Sequence, residues 1–298
     1  VRQGKNAGWR YLLSLFLIIF FWLILGSIPL FVWLAGNFQG EAVVTTVGNS
    51  RLLQYILFSL SFCFFLLGLY LAVTQIHQRP FHSLIQPDGG VNYRRILQGA
   101  IVWLVLIALT YGIEAILYPD HFKLTFEPLE WFWFLPLILL LTPVQTTTEE
   151  LFFRGYLLQG LGLLSRHRWF LIGISSLIFG SLHFGNPEME AAGHSAWLSM
   201  LYVMFGVFLA LITLQDNSLE LAIGCHAINN LFLLTVVRDR VAVLNTPAIF
   251  TRLTTPDARL EFFIFLGQAV LFYLLLCRRR PRQLPRQEAS KEIDQTQE

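Results

Sequence analysis

Six polar side chains fall inside long apolar stretches of this sequence. On insertion scales an ionisable side chain inside a bilayer costs roughly 2.5 to 3.5 kcal/mol, so each is expected to have a partner or a function. Carboxylates, imidazoles and amides can relay protons, activate water or bind a metal ion. These positions are therefore the candidate functional residues of the chain. They are Glu149, Glu150, Arg154, His183, His226 and Asn230.

Helical spacing sorts these side chains into faces. Glu150 and Arg154 are four residues apart with the acid first, so they lie on one helix face and can form an ion pair. Glu149 lies about 100° around the same helix, without that partner, and addresses a different face. His226 and Asn230 are also four residues apart. We therefore expect one helical turn to present an imidazole and an amide to the same place.

The elements that carry these residues are predicted to be transmembrane helices. Of the 298 residues, 55% are hydrophobic and 13% are charged, which is about half the charge of a soluble domain. Continuous apolar runs of about 20 residues indicate helices rather than barrel strands. We predict an all-α, polytopic membrane protein with about eight transmembrane helices and no nucleic-acid partner. The predicted spans are residues 11–35, 52–73, 96–117, 131–158, 169–184, 197–214, 219–237 and 262–277.

The basic residues predict the orientation of these spans. Most Lys and Arg residues fall on the side of the two termini, which the positive-inside rule identifies as the cytoplasm. We therefore expect both termini to be cytoplasmic, in a plasma membrane of the bacterial type. The opposite side carries Arg51, Lys123, Arg238, Arg240, Arg252 and Arg259.

The fourth span is expected to be a long, bent helix, because it contains Pro143 and continues past the two glutamates. Glu149 and His183 are equally far along the chain from Arg166, where the turn to the fifth span is predicted. Each then lies roughly 25 Å along its helix, so the two are level in an antiparallel hairpin, while His226 is shallower, roughly 10 Å in. The three helices can meet if the fourth and fifth project into the cytoplasm.

Three motifs occur in order along the predicted helices: EExxxR from Glu149, FxxxH ending at His183, and HxxxN from His226. Together they resemble the motifs of the CAAX prenyl endopeptidase and bacteriocin-processing family, also called the CPBP or Abi family. Each motif alone is weak, but three in order at matching spacing are specific. The resemblance covers roughly residues 130 to 240, and the other spans resemble the family only in hydrophobicity.

The resemblance implies a glutamate-dependent intramembrane endopeptidase. Glu149 would be the general base, since burial disfavours its charged form and so suits a group that takes a proton from water near neutral pH. His183 would hold or help to activate that water. His226 and Asn230 would stabilise the oxyanion that forms on the scissile carbonyl. No Ser or Cys is placed to form a nucleophilic triad, so direct attack by water is expected.

Supporting residues and a metal complete this expectation. Glu150 and Arg154 would fix the helix face that carries Glu149. Zinc is left open as a cofactor: two histidines and a carboxylate can coordinate it with an open position, and the ligands would then be Glu149, His183 and His226. The chain has no HExxH motif, and Asn is an unusual zinc ligand.

The domain organisation follows from the spans and the resemblance. We expect three N-terminal helices with their loops over residues 1–130 and a catalytic core over residues 131–240. A loop and the last helix would occupy residues 241–277, and a polar cytoplasmic tail residues 278–298. The expected partners are the lipid bilayer and a membrane-associated peptide or protein, lipid-modified or not, that is cut near its C-terminus.

Two other functions remain open at this point. Intramembrane Glu and His residues also mark transporters and proton relays, although the chain lacks the inverted repeat and paired broken helices of many transporters. A member of the same family without peptidase activity, acting as an immunity or scaffold protein, is the second alternative. Glu114 and Asn229 match no motif and are predicted to be packing or cavity-lining groups.

Overall fold

The computed structural model of this protein describes residues 4–37, 51–86, 90–255 and 257–278. Within these ranges it is an all-α membrane protein, which confirms the predicted fold class. The predicted polar tail lies outside the described residues from position 279 onward, and the orientation of the termini stays a prediction. Among the described residues, six helices are long and apolar enough to cross a membrane: Gly8–Trp33, Arg51–Ile76, Tyr93–Leu117, Pro128–Leu161, Ala196–Asp216 and Ala258–Leu276.

In the part of the chain that the structure describes, three π-helical stretches continue α-helices, and two 3₁₀ turns lie in the connections. In order, the chain forms α1 (Gly8–Ile19), a π stretch (Phe20–Leu25), α2 (Ile28–Asn37), α3 (Arg51–Leu71), a π stretch (Ala72–Ile76), a 3₁₀ turn (Phe81–Leu84), α4 (Tyr93–Leu117), a 3₁₀ turn (Pro119–His121), β1 (Phe122–Leu124), α5 (Pro128–Glu150), a π stretch (Leu151–Leu157), α6 (Leu158–Leu161), α7 (Arg168–Ser181), α8 (Pro187–Ala191), α9 (Ala196–Asp216), α10 (Glu220–Thr235), β2 (Val237–Asp239), β3 (Phe250–Arg252) and α11 (Ala258–Leu276).

Two of the eight predicted spans are shorter in the structure than the sequence suggests. The fifth is α7, with 14 residues, and the seventh is α10, with 16 residues. At 1.5 Å per residue they are about 21 and 24 Å long, less than the hydrocarbon thickness of a typical bilayer. Residues 220–226 of α10 are all buried. Protein rather than lipid therefore surrounds this helix, so its length need not match the bilayer.

The fourth predicted span is long, as expected. α5, the π stretch and α6 form one apolar helix of 34 residues, Pro128–Leu161. Pro136 and Pro143 lie inside α5, where each lacks the backbone donor of an ordinary residue. The change from α to π geometry comes directly after Glu150. Single π turns inside α-helices occur frequently at functional sites, and here the turn adjoins the two motif glutamates.

Close helix packing around α10 and α9 depends on glycine. A Cβ added at Gly224 of α10 would clash with the carbonyl oxygen of Ile96 in α4. A Cβ added at Gly206 of α9 would stand 3.0 Å from the Cβ of Ser176 in α7. Small residues let membrane helices approach this closely. These contacts bring α4, α7, α9 and α10 into one bundle.

A small sheet joins the loops at one end of this bundle. It has the strand order β1-β3-β2, with β1 antiparallel and β2 parallel to β3. Thr251 of β3 is paired with Lys123 on one side and Arg238 on the other. The sequence analysis did not predict this sheet, because each strand has only three residues and shows no period-two pattern.

Candidate active site

Glu150 and Arg154 form the ion pair predicted from their spacing. Arg154 Nη1 donates to Glu150 Oε1 at 2.9 Å, and both side chains are 0% exposed. Arg154 Nη2 donates to the carbonyl oxygen of Gly206 at 3.2 Å. Burying either charge alone would cost several kcal/mol. The pair therefore holds the π stretch of the long helix against α9.

His226 lies between the two motif glutamates. Its Nδ1 is 2.7 Å from Glu150 Oε1, and its Nε2 is 3.7 Å from Glu149 Oε2. The ion-paired carboxylate of Glu150 only accepts hydrogen bonds, so Nδ1 carries a hydrogen and donates it. The bond turns Nε2 towards Glu149. Glu149 and Glu150 lie on different faces of their helix, and the imidazole of α10 joins them.

Glu149 is buried, with 8% of the residue exposed, and does not pair with Arg154, as the helix position predicted. It is not isolated, however. Gln145 Nε2 donates to its Oε1 at 3.3 Å, and His226 approaches its other oxygen. Gln145 precedes Glu149 by four residues on the same helix, so the spacing could have identified this contact. The Glu149 carboxylate therefore has a fixed orientation.

His183 lies just after the end of α7 and is the last residue of the FxxxH motif. Its side chain bonds back to Phe179, the first residue of that motif. Its Nδ1 donates to the carbonyl oxygen of Phe179 at 2.9 Å, which leaves Nε2 as an acceptor. The imidazole stacks on Tyr202 of α9 with ring centres 4.6 Å apart and an interplanar angle of 21°. It lies close enough to Glu149 and His226 to interact with their charges.

Tyr202 and its partners were missed by the sequence analysis. The Tyr202 hydroxyl donates to Glu188 Oε1 at 2.5 Å, and Asn186 Nδ2 donates to the same oxygen at 2.9 Å. Asn186 and Glu188 lie a few residues after His183, which is the one signal that could have drawn attention to them. Tyr202 itself stands in an apolar helix with no motif around it.

The three motifs converge on the ring of Phe179, which is 1% exposed. The Arg154 guanidinium carbon lies 4.4 Å from the centre of this ring. The ring centres of His183 and His226 lie 4.8 Å and 6.0 Å from it. Five of the six candidate residues are thus brought together by these contacts and by the contacts of Glu149 and Glu150 with His226. The sequence analysis allowed this convergence on the condition that the fourth and fifth spans project into the cytoplasm, and that projection stays a prediction.

Asn230 lies one turn of α10 beyond His226. Its Oδ1 accepts a hydrogen bond from Asn229 Nδ2 at 3.1 Å. Asn229 Oδ1 in turn accepts from the indole Nε1 of Trp103 at 3.1 Å. The sequence analysis assigned Asn229 to packing or cavity lining and did not single out Trp103. No spacing rule connects α4 with α10, so only the fold reveals this contact.

Zinc, which the sequence analysis left open as a cofactor, would need three or more ligating side chains in one place. Among the residues that the structure describes, no group of three or more His, Cys, Asp or Glu side chains is placed to hold a metal ion. Glu149, His183 and His226, which would be the ligands if zinc were bound, are among these described residues.

An apolar pocket of about 230 Å³ lies beside the histidine motif. It opens between the C-terminal end of α7 and the first half of α9, and Phe184, which follows His183, is part of its wall. Its lining can receive an apolar group but offers almost no hydrogen bonds. The lining residues are Leu177, Phe184, Ser199, Met200, Val203 and Met204.

Comparisons with known proteins agree with the motifs. A family model described as type II CAAX prenyl endopeptidase Rce1-like matches residues 129–232, a range that contains all six candidate residues. A protein of Bacillus subtilis (strain 168), described as uncharacterized protein YyaK, is 32% identical over 277 residues. The alignment covers 91% of this chain and 91% of that protein. No solved structure matches the chain.

Proposed function

The chain belongs to the Rce1-like family of type II CAAX prenyl endopeptidases, and we propose that it is an intramembrane endopeptidase in which Glu149 activates water for attack on a peptide bond. The observation that carries this proposal is the convergence of all three motifs on Phe179. It puts a buried carboxylate and two imidazoles in one place. A packing role alone does not require this combination.

In the proposed reaction, His183 and Glu149 orient the attacking water. His183 Nε2 accepts one O–H of the water, because its Nδ1–H is committed to the Phe179 carbonyl. Glu149 takes the other proton as the water oxygen bonds to the scissile carbonyl carbon. Glu149 then gives this proton to the leaving nitrogen as the C–N bond breaks. The products are an amine and a carboxylic acid, which gives its remaining proton to water on release, and Glu149 returns to its starting state.

His226 and Asn230 stabilise the negative charge that develops on the carbonyl oxygen. His226 acts as the imidazolium, with Nδ1–H bonded to Glu150 and Nε2–H available to the oxyanion. The two flanking glutamates are its counter-charges, and Arg154 balances one of them. Asn230 supplies a second donor through its amide. Loss of one such donor typically lowers kcat by about 10² to 10³.

We propose a membrane-associated peptide or protein as the substrate, cut near its C-terminus and carrying a lipid. The description of the matching family as prenyl endopeptidases supports a lipid on the substrate. The bilayer in which this takes place is proposed to be a plasma membrane of the bacterial type, with the motif helices facing the cytoplasmic half.

Cleavage of a quenched fluorogenic peptide that ends in a prenylated CAAX sequence tests this proposal. The purified protein, reconstituted in lipid, is compared with its Glu149→Gln variant. We expect cleavage by the parent and a loss of about 10² to 10⁴ in rate in the variant, the usual contribution of a general base. Glu130→Gln is the matched control, because Glu130 lies on the same helix in a partly exposed pair with Arg51. It should retain activity.

The same assay separates the other functions. Equal rates for the parent and Glu149→Gln would remove Glu149 from the mechanism. Cleavage of an unprenylated peptide at the same rate would remove the lipid from the proposed substrate. No cleavage of either peptide, nor of membrane-embedded peptides of varied sequence, would favour the non-proteolytic member of the family.

A further inference from the structure

The amide of Asn230 can stabilise an oxyanion only in one of its two orientations. Its NH₂ group must face the substrate, because the amide oxygen would repel the developing negative charge. The oxygen and nitrogen ends of an amide are nearly equal in size, so packing alone does not select between them. A hydrogen-bond partner of defined polarity is needed to select the orientation.

The structure contains such a partner at the far end of a short chain of side chains. The indole Nε1–H of Trp103 is a donor with no acceptor capacity, and it lies 3.1 Å from Asn229. The atom of Asn229 that faces it must therefore be Oδ1. This leaves the NH₂ group of Asn229 to face Asn230, again at 3.1 Å.

The same reasoning applies to the second contact. An amide NH₂ group only donates, so the atom of Asn230 that faces Asn229 must be Oδ1. Among the described residues, Asn230 Nδ2 has no hydrogen-bond partner. Its two hydrogens are therefore available on the side of the amide away from Asn229. Asn230 also stands one turn from His226, whose Nε2 faces Glu149.

The direction of the Trp103 donor is itself held by packing. Trp103 is 2% exposed. The Phe208 ring stacks on it with centres 5.3 Å apart and an interplanar angle of 26°. Phe265 and Phe272 meet it edge-on at 6.1 and 6.0 Å. A ring enclosed in this way cannot turn its N–H elsewhere without a cavity opening around it.

We propose that Trp103 and Asn229 are positioning residues that orient the Asn230 amide with its NH₂ group towards the scissile carbonyl. The inference rests on the proposed function, since it explains how one of the two oxyanion donors is aligned. Neither residue touches the substrate. Asn229, which the motifs leave without a role, becomes the link between the fixed indole and the reacting group.

A double-mutant cycle tests this chain of hydrogen bonds. Trp103→Phe keeps an aromatic ring and removes the donor, so Asn229 and then Asn230 lose their preferred orientation. We expect kcat to fall about 10-fold with KM unchanged, and Asn230→Ala to cost about 10² to 10³. Because Trp103 acts through Asn230, the double variant should be no slower than Asn230→Ala alone. Losses that multiply would overturn the proposal.

Trp131→Phe is the matched control. The Trp131 indole also donates a hydrogen bond, to the carbonyl oxygen of Thr235 at 3.0 Å, but it has no link to Asn230. This variant should keep the parent kcat. An equal loss in the two Trp variants would assign the effect of Trp103→Phe to the fold in general and would overturn the proposal.

A measurement independent of cleavage keeps the two proposals distinguishable. With ¹⁵N-labelled tryptophan, the indole resonance of Trp103 should shift in Asn229→Leu and also in Asn230→Ala, while that of Trp131 stays in place. An unmoved Trp103 resonance in both variants would overturn the hydrogen-bond chain whether or not the protein cleaves a peptide. Absence of Glu149-dependent cleavage, by contrast, would contradict the proposed function. The NMR shifts alone would then show whether the hydrogen bonds from Trp103 to Asn230 exist.

Discussion

Arg154 and Arg252 are both almost fully buried, at 3% and 2% exposed, and yet their surroundings differ. Arg252 donates to Asp239 at 2.7 Å and to Glu261 at 2.6 Å, and a third carboxylate, Glu114, accepts at 3.2 Å. These carboxylates are 22 to 36% exposed. Arg154 meets one carboxylate, which is 0% exposed and is shared with His226.

The comparison of the Arg154 and Arg252 clusters shows that a buried charge alone does not identify a reactive site. Arg252 joins β3 to α4, β2 and α11 through acids that water can also reach, which is the arrangement of a structural clamp. The Arg154 cluster adjoins side chains with unused capacity, since His183 Nε2 and Asn230 Nδ2 have no protein partner among the described residues. Within the buried ion pair, Glu150 Oε2 and Arg154 Nε also have no hydrogen-bond partner in the part of the chain that the structure describes. This unused hydrogen-bonding capacity is what distinguishes the candidate active site.

The largest effect is expected for Arg154→Met. It would leave one uncompensated negative charge in the buried cluster of Glu149, Glu150 and His226, and breaking a buried pair in this way typically destabilises a protein by about 3 to 5 kcal/mol. The melting temperature in detergent should fall strongly, and cleavage should be lost with it. Arg154→Lys, which keeps the charge but not the planar fork, should lose less. An unchanged melting temperature in Arg154→Met would contradict the role given to this pair.

A smaller effect, on stability alone, is expected for Arg252→Met. The acids around Arg252 are partly exposed, so water can replace part of what the guanidinium provides, and the cost should be about 2 kcal/mol. The cleavage rate per folded molecule should not change. Thermal unfolding and cleavage measured on the same sample check both statements. A cleavage rate that falls by more than the folded fraction would contradict this expectation and show that the Arg252 cluster contributes to the active site.

The smallest effect is expected for Tyr202→Phe. The variant keeps the ring that stacks on His183 but removes the hydroxyl that donates to Glu188. A net loss of about 1 kcal/mol from one hydrogen bond, if felt at the transition state, lowers kcat roughly 5-fold.

Tyr55→Phe is the matched control for Tyr202→Phe. Tyr55 is 1% exposed and shares a hydrogen bond with Thr142 at 2.8 Å, away from the candidate site. It should lose a similar amount of stability and no activity. Equal kcat values in the two variants would show that Tyr202 does not align His183.

Much of the fold and part of the site could be predicted without coordinates, because they depend on local geometry. Hydrophobic runs determine that the chain forms membrane helices, and a spacing of four residues determines that Glu150 and Arg154 pair. Helix geometry also separates Glu149 from that pair. These statements hold because neighbours on one helix are fixed by its 3.6-residue turn, whatever the helix packs against.

Only the tertiary structure decided which helix faces meet. His226 is 76 residues from Glu150 in sequence, and Trp103 is 126 residues from Asn229, so no periodicity relates them. The short lengths of α7 and α10 and the three-residue strands could not be predicted from the sequence for a related reason, because they depend on burial by other elements. Local spacing identifies the side chains that can react, whereas the packing of α4, α5, α7, α9 and α10 determines which atoms of those side chains face one another.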